Sequence, residues 1–294
     1  MAGHITAFGL NSHNPNMDPL PALIDFVHRH PRLLVITGAG CSTAAGIPDY
    51  RDEHGAWKRR EPMRYQVFVG DPLARQRYWA RSLLGWRTLA QAQPTAAHHA
   101  LAQLEQAGRI TLLVTQNVDG LHQAAGSANV VDLHGRIDTV VCLDCGTRSP
   151  RRDLQQALMA RNPDWLALDA RSLPDGDADL EGLNFATFDV PACPHCGGLL
   201  KPDVVFFGES VPRERVAAVR EALTQADAVL VAGSSLMVYS GYRFVEEAVA
   251  TGKPIAVVNR GRTRADAVLG LKLEADVGRA LAALASLHAV EPAA

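Results

Sequence analysis

The sequence has little net charge, no long hydrophobic run and few cysteines, and each of these absences excludes a class of protein. The formal net charge of −2 lacks the basic excess that non-specific nucleic-acid binding needs. No apolar run approaches the length of a membrane-spanning helix. Residues 1–20 contain neither the apolar core of a secretory signal nor the arginines of a transit peptide. We therefore expect a cytoplasmic protein that has no nucleic-acid or membrane partner.

In a reducing compartment, the five cysteines are expected to be metal ligands or free thiols rather than disulfides. Four of them form two C-x-x-C pairs, Cys142 with Cys145 and Cys193 with Cys196, and a glycine follows each pair. Two such pairs supply the four thiolates of a tetrahedral Zn²⁺ site. Because no ligand position stays open, the predicted zinc is a single structural ion. A pair of redox motifs, or a coincidence of spacing, is the alternative.

The order of the predicted elements indicates the fold class. Apolar runs predict buried strands at residues 33–36, 110–114, 130–133, 228–232 and 255–258. Helices are predicted around them at residues 18–30, 73–91, 94–108, 211–225, 242–251 and 276–288. Strands that alternate with helices imply an α/β fold with a doubly wound, parallel, Rossmann-like sheet. The predicted domains are a discontinuous Rossmann-like part (18–136 and 201–288), a smaller zinc-binding insertion (137–200) and an N-terminal extension (1–17).

Two segments are predicted to be largely irregular. Residues 52–72 are punctuated by glycine and proline, and a loop of this length inside a compact domain is typically functional or mobile. In the insertion, a helix predicted at 154–161 precedes a polar stretch at 174–179. This stretch is either a solvated surface or a loop near the mouth of the active site.

A glycine turn follows the first predicted strand. Gly38, Ala39 and Gly40 form the turn, and Ser42 comes next as a candidate cap for a short helix. Such a turn allows the backbone to approach a pyrophosphate, whose negative charge a helix N-terminus favours. The turn lacks a third glycine at Rossmann spacing, so it matches the dinucleotide fingerprint poorly. An ordinary strand-to-helix turn is the alternative.

Polar residues follow the other predicted strands at their carboxyl ends. Asn117 and Asp119 follow one strand, and His134 follows the next. Gly233-Ser234-Ser235 and Asn259-Arg260 follow the last two predicted strands. Ligands of an open parallel sheet bind at this edge, and His134 is placed there as a candidate general base. The set suits one elongated, hydroxyl-rich anion, whereas four capped turns would not require these side chains each time.

Together these motifs resemble the sirtuins, the NAD-dependent protein deacylases. The matching segments stand in the family's order and span roughly residues 33–280: GAGCST, GIPDYR, TQNVDGLH, DLHG, the two C-x-x-C pairs, KPDVVFFGE, GSSLMVYS and VNRG. The segments YWAR and SGYR, the run 199–209 and the wide insertion look most like the class II branch, which includes the mitochondrial sirtuin-four type. The resemblance identifies residues 52–72 with the loop that orders over NAD.

The resemblance implies an NAD-dependent protein-lysine deacylase whose products are free lysine, nicotinamide and O-acyl-ADP-ribose. The acyl oxygen would displace nicotinamide, after which the base His134 would take a proton from a ribose hydroxyl; Asn117 would be the second catalytic residue. Acyl-lysine proteins or peptides would be the partners of a monomeric enzyme. Protein mono-ADP-ribosyl transfer and a non-catalytic, NAD-sensing zinc scaffold are the alternatives. The resemblance implies the following NAD contacts: Gly38, Ala39, Gly40, Ser42, Ile47, Asp49, Tyr50, Arg51, Gln116, Asn117, Asp119, Gly233, Ser234, Ser235, Asn259, Arg260, Gly261 and Val277.

The resemblance also implies a peptide that pairs with two segments as an added strand. The substrate-binding residues there would be Val205, Phe206, Phe207, Gly208, Glu209, Leu236 and Val238. Tyr78 and Arg81 lie at i and i+3 on one face of a predicted helix. In sirtuins that remove acidic acyl groups, a Tyr-x-x-Arg at this place binds the acyl carboxylate. The pair therefore favours succinyl, glutaryl or hydroxymethylglutaryl over acetyl, and a surface arginine packed on an aromatic ring is the alternative.

Overall fold

A computed structural model describes residues 20–58, 62–168 and 183–288. The predicted N-terminal extension (1–17) and the polar stretch 174–179 lie outside these ranges. In chain order the helices are α1 (Leu20–Arg29), α2 (Tyr65–Gly70), α3 (Pro72–Leu89), α4 (Ala96–Gln106), α5 (Leu121–Ala124), α6 (Arg151–Arg161), α7 (Arg213–Gln225), α8 (Tyr239–Ala250) and α9 (Val277–His288). The strands are β1 (Leu33–Thr37), β2 (Ile110–Thr115), β3 (Val130–Asp132), β4 (Gly135–Cys142), β5 (Arg148–Pro150), β6 (Leu200–Val204), β7 (Ala228–Ala232), β8 (Ile255–Val258) and β9 (Leu271–Leu273).

The large sheet has six parallel strands in the order β3-β2-β1-β7-β8-β9. Every residue of β1, β7 and β8 is buried, as expected for strands that helices cover on both faces. Leu33 and Val35 point into a core with α1, α4 and α9, whereas Leu34 and Ile36 point into a core with α7 and α8. The predicted α/β fold class is therefore confirmed.

A second, three-stranded antiparallel sheet in the order β5-β4-β6 carries the four paired cysteines at its end. Its core contains Val140 and Leu154 from the insertion, together with Phe68, Trp79 and Leu83 from α2 and α3. The predicted Rossmann-like part includes α3. The buried face of this helix packs on the zinc-binding part.

Several predicted boundaries differ from the structure. The small sheet begins at Gly135 and ends at Val204, outside the predicted limits 137–200. Residues 65–70, predicted to be irregular, form α2. The next helix starts where Pro72 occupies its first turn and the Asp71 carboxylate accepts from the backbone N–H groups of Leu73 and Ala74. Among the described residues, no helix combines the length and the apolar character needed to cross a bilayer.

Candidate active site

A cavity of about 960 Å³ opens where the strands of the large sheet end. Residues that follow β1, β2, β3, β7 and β8 line it, so the expected carboxyl edge is where the polar side chains meet. Except for Gly261 and Val277, every residue predicted to contact NAD lies on its wall. The predicted base His134 lies there too.

The glycine turn is packed backbone to backbone against the turn after β7. The backbone N–H of Gly40 donates to the Gly233 carbonyl at 2.9 Å. A Cβ on Gly40 would lie 2.8 Å from Gly233 Cα, and one on Gly38 would lie 2.8 Å from Ser234 Cβ. Gly233 itself has a positive φ of 63°, which side chains rarely adopt. The turn therefore presents mainly backbone to the cavity.

The helix predicted to begin at Ser42 is absent. Two short 3₁₀ turns, Ala39–Cys41 and Thr43–Ala45, stand in its place, and the Ser42 side chain caps neither of them. Its hydroxyl instead donates to Asp119 Oδ2 at 2.7 Å. The expectation of a capped helix N-terminus was therefore wrong, because this hydroxyl is used between two strand ends.

Ser42, Asn117 and Asp119 form one hydrogen-bonded group. The Asn117 amide donates to Ser42 Oγ and to the Gly38 carbonyl, each at 3.0 Å. The second oxygen of Asp119 accepts from the backbone N–H of Leu121 at 2.9 Å. Both carboxylate oxygens and the amide nitrogen are thus held in place, while the amide oxygen of Asn117 has no hydrogen bond from a described residue.

Two buried histidines lie behind this group. The rings of His98 and His122 have centroids 4.6 Å apart, and the residues are 0% and 1% exposed. The backbone N–H of Thr95 donates to His98 Nδ1, so the neutral ring carries its proton on Nε2, 3.5 Å from Ser42 Oγ. His122 Nε2 lies 2.9 Å from Thr37 Oγ1. Burial lowers the pKa of His98 to about 4 and that of His122 to about 3, so both rings are neutral near neutral pH.

The ring of His134 is partly buried and is held at both nitrogens. Its Nδ1 lies 2.9 Å from the carbonyl oxygen of Gln116, and its Nε2 lies 2.7 Å from Ser240 Oγ. Burial lowers the pKa of His134 to about 4, with a further contribution from the positive charges of Arg215 and Arg243. The unprotonated imidazole, the form that a general base requires, therefore predominates near neutral pH.

The loop after the glycine turn contacts the predicted peptide-binding segment 205–209. The Arg51 guanidinium lies 3.9 Å from the ring centroid of Trp57 and donates to the Gly55 carbonyl at 2.7 Å. Trp57 in turn meets the ring of Phe207 edge-on, with centroids 5.5 Å apart. The Asp49 carboxylate pairs with Lys58 at 2.5 Å. The loop and the segment 205–209 thus share an aromatic contact.

The predicted peptide-binding residues all line the cavity. The backbone N–H of Val205 donates to the His134 carbonyl at 2.8 Å, so this segment begins directly beside the predicted base. The Glu209 carboxylate accepts from Lys201 at 3.1 Å and from the backbone N–H of Phe206 at 2.9 Å. It therefore holds the segment in shape. Leu236 in the opposite segment has a φ of 55°, a strained value for a branched side chain.

The predicted pair of Tyr78 and Arg81 does not share one position relative to the cavity. Tyr78 is only 5% exposed, packs edge-on against Phe68 and tilts over Phe206, and lines the cavity. Arg81 is partly buried one turn further along α3 and does not line the cavity. Of the two residues, only Tyr78 therefore lines the cavity.

The four paired cysteines fit a structural zinc ion. Their Sγ atoms all lie within 4.8 Å of one another, with 3.5 Å between Cys142 and Cys196 and 3.9 Å between Cys145 and Cys193. Tetrahedral Zn–S bonds of about 2.3 Å place the sulfurs about 3.8 Å apart. In each pair a left-handed glycine turns the backbone, and its N–H donates to the carbonyl of the first cysteine.

Sequence reasoning missed three side chains of this site. Ser240 lines the cavity and contacts His134, which lies 106 positions earlier in the chain. The second and third are the buried His98 and His122. Ser240 and His122 belong to quoted motifs and His98 lies in a predicted helix, but no spacing along the sequence indicates that these side chains meet their partners in the fold.

The chain is similar to known proteins over most of its length. Residues 38–240 match the model of the Sir2 family. The chain is 60% identical over 263 residues to NAD-dependent protein deacetylase 2 of Bradyrhizobium diazoefficiens, covering 90% of this chain and 96% of that protein. It is 60% identical over 270 residues to the NAD-dependent protein deacetylase of Bordetella bronchiseptica, covering 92% and 98%. The solved structure described as Sir2-p53 peptide-NAD+ aligns with a TM-score of 0.72 and 28% identity, over 94% of this chain and 100% of that one.

Proposed function

Because the chain belongs to the Sir2 family and is an NAD-dependent protein deacetylase, we propose that its cavity carries out this reaction with His134 as the general base. One observation above all supports this role. A carbonyl oxygen only accepts, so the bond to Gln116 requires the proton of the neutral imidazole to sit on Nδ1. The basic lone pair is then on Nε2, the nitrogen that faces Ser240 on the cavity wall.

The wall of the cavity fits NAD⁺. The backbone surface of Gly38, Gly40 and Gly233 suits the pyrophosphate. A Cβ at any of these positions would collide with the facing turn, so glycine lets the two turns pack closely and present backbone to the cavity. The fixed amide of Asn117 and carboxylate of Asp119 would hold the nicotinamide end. When bound, NAD⁺ would supply the ribose carbon at which the bond to nicotinamide breaks and a bond to the acyl oxygen forms.

The chain's own residues then have distinct tasks. His134 accepts a proton at Nε2, and its Nδ1–H bond to the Gln116 carbonyl strengthens as the ring becomes charged. Tyr50, on the cavity wall, would exclude water from the reacting carbon. The segments 205–209 and 236–238 would hold an acyl-lysine peptide between them by strand addition.

The test is a reaction of the purified enzyme with NAD⁺ and an acetyl-lysine peptide, followed by mass spectrometry. We expect loss of the acetyl group, release of nicotinamide and formation of O-acetyl-ADP-ribose. His134→Ala should abolish deacetylation. Ser286→Ala, an exposed hydroxyl on α9, is the matched control and should leave it unchanged. ADP-ribose attached to protein without deacetylation would support mono-ADP-ribosyl transfer instead.

A second candidate function is a preference for acidic acyl groups over acetyl. Tyr78 supports it, because this residue lies on the cavity wall and a phenol hydroxyl can donate a hydrogen bond to a carboxylate. The same assay with succinyl, glutaryl and hydroxymethylglutaryl peptides measures the preference. A larger kcat/KM for these groups that Tyr78→Phe reduces would establish it, and Arg81→Met, a change outside the cavity wall, is the comparison variant. A larger kcat/KM for the acetyl peptide would refute the preference for acidic acyl groups.

Other features of the prediction remain proposals. The similar bacterial proteins are named deacetylases and give no support to the class II branch. The monomeric state, the cytoplasmic location and the lack of nucleic-acid or membrane partners also remain predictions. The non-catalytic alternative is set aside, because the chain is an enzyme.

A further inference from the structure

The hydroxyl of Ser240 occupies the one lone pair that the base needs. Ser240 is the second residue of α8, is partly buried and lines the cavity. Its Oγ lies 2.7 Å from His134 Nε2, a normal length for a strong hydroxyl hydrogen bond. Because Nδ1 already carries the ring proton toward the Gln116 carbonyl, Nε2 can only accept, and Ser240 is the donor.

We propose that Ser240 is a positioning residue for the catalytic base of the deacetylase. The imidazole is held between two hydrogen bonds at opposite nitrogens, one to a fixed backbone carbonyl and one to the first turn of α8. The torsion that turns an imidazole ring is broad and roughly two-fold, so one hydrogen bond alone leaves the ring free to swing. The second bond fixes the direction of the Nε2 lone pair before substrate arrives.

The hydroxyl suits this position because it can donate and accept. In the resting enzyme it donates to Nε2. During turnover the ribose hydroxyl would replace the Ser240 hydroxyl beside Nε2 and give its proton to this nitrogen. The electron pair of the broken O–H bond would stay on the ribose oxygen. The imidazolium can then donate from Nε2 to Ser240 Oγ, because a serine oxygen also has acceptor lone pairs. An alanine offers neither bond.

This inference rests on the proposed role of His134, and its first test needs neither NAD⁺ nor peptide. Nitrogen NMR of the ¹⁵N-histidine-labelled free enzyme reports the state of each imidazole nitrogen, and His134→Gln identifies the His134 signals by their loss. Ser240→Ala should move the Nε2 signal toward that of an imidazole nitrogen without a hydrogen bond. Ser240→Thr, which keeps the hydroxyl, should restore it. An Nε2 signal that is the same in wild type and Ser240→Ala would overturn the proposal.

The second test separates two steps of the reaction. Exchange of labelled nicotinamide into NAD⁺ precedes the action of the base, whereas release of free lysine follows it. Ser240→Ala should slow deacetylation about 2- to 10-fold, the value of one net hydrogen bond, and leave nicotinamide exchange unchanged. Ser240→Thr should recover most of the rate, and Ser286→Ala is again the control.

The outcomes separate a failure of the proposed deacetylation from a failure of the positioning role of Ser240. A wild-type enzyme that does not deacetylate would refute the proposed function. A Ser240→Ala enzyme that deacetylates at the wild-type rate or faster would refute the positioning role alone, because the hydroxyl would then be a bystander or an obstruction. Equal losses of exchange and deacetylation would also refute it, since they would indicate general damage to the cavity.

Discussion

The buried pair of His98 and His122 predicts how the stability of the enzyme depends on pH. Both rings have a folded-state pKa below the ordinary value of about 6.5 that an imidazole has in the unfolded chain. Below that value the unfolded chain binds more protons than the folded protein, so stability falls as pH falls. Their stabilising contribution is complete above about pH 6.5 and disappears toward about pH 3–4.

The magnitude follows from the two pKa values. Between about pH 6.5 and about pH 5.5 each buried histidine removes about 1 kcal/mol from the free energy of unfolding, and the pair removes about 2 kcal/mol. This is a large share of a total stability of about 5–15 kcal/mol. Most carboxylates remain ionised in this interval, which keeps their contribution to the slope small.

The assay is urea unfolding of wild type and His122→Gln at several pH values. Glutamine can still hydrogen-bond to Thr37 but cannot take up a proton, so the variant should lose about 1 kcal/mol less than wild type over this interval. His99→Gln is the matched control, because this neighbour on α4 is exposed to water. Equal slopes for wild type and His122→Gln would refute the reasoning, whatever the variant's stability at neutral pH.

Three further predictions follow from the site. Gly233→Ala should lower the free energy of unfolding by at least about 2 kcal/mol in urea, because its Cβ would lie 2.7 Å from a backbone nitrogen at a positive φ; an unchanged midpoint would contradict this. Cys145→Ser should reduce the zinc content, measured by atomic emission, below the one ion per chain expected for wild type. Full zinc occupancy in that variant would show that Cys145 is not a ligand. Trp57→Ala should raise the KM for NAD⁺ about 2- to 5-fold in the deacetylation assay, because the contact with the Arg51 guanidinium is lost. The same KM would mean that the loop orders without this ring.

The parts of the molecule that the sequence predicted are those with local signals. The strands β1, β7 and β8 are continuous apolar runs, and the C-x-x-C spacing of the four paired cysteines predicts a zinc site. The strand β9 has only three residues, and a lysine separates its two leucines, so it shows no apolar run. In β4 the alternation of buried and partly exposed residues slips once in the middle of the strand, where its register with β6 also shifts, so the sequence shows no continuous period.

The site was predictable as a set of strand ends but not as a set of contacts. Strand ends that carry Asn117, His134 and Ser234 can be found in sequence, because parallel strands bring their carboxyl ends to one edge. The bond between Ser240 and His134 depends on how α8 docks against that edge. The pairing of His98 with His122 depends on how α4 meets α5, and such docking is set by the whole core.

The placement of α3 has a consequence for how the zinc-binding part could exist on its own. A fragment cut at the ends of the small sheet, residues 135–204, would lack Trp79 and Leu83, which complete its core from a distant stretch of chain. Such a fragment would carry an open apolar face even with its metal in place. The zinc-binding part therefore cannot fold independently of the rest of the chain. Its core is complete only after α3, which precedes it in the sequence, has packed against it.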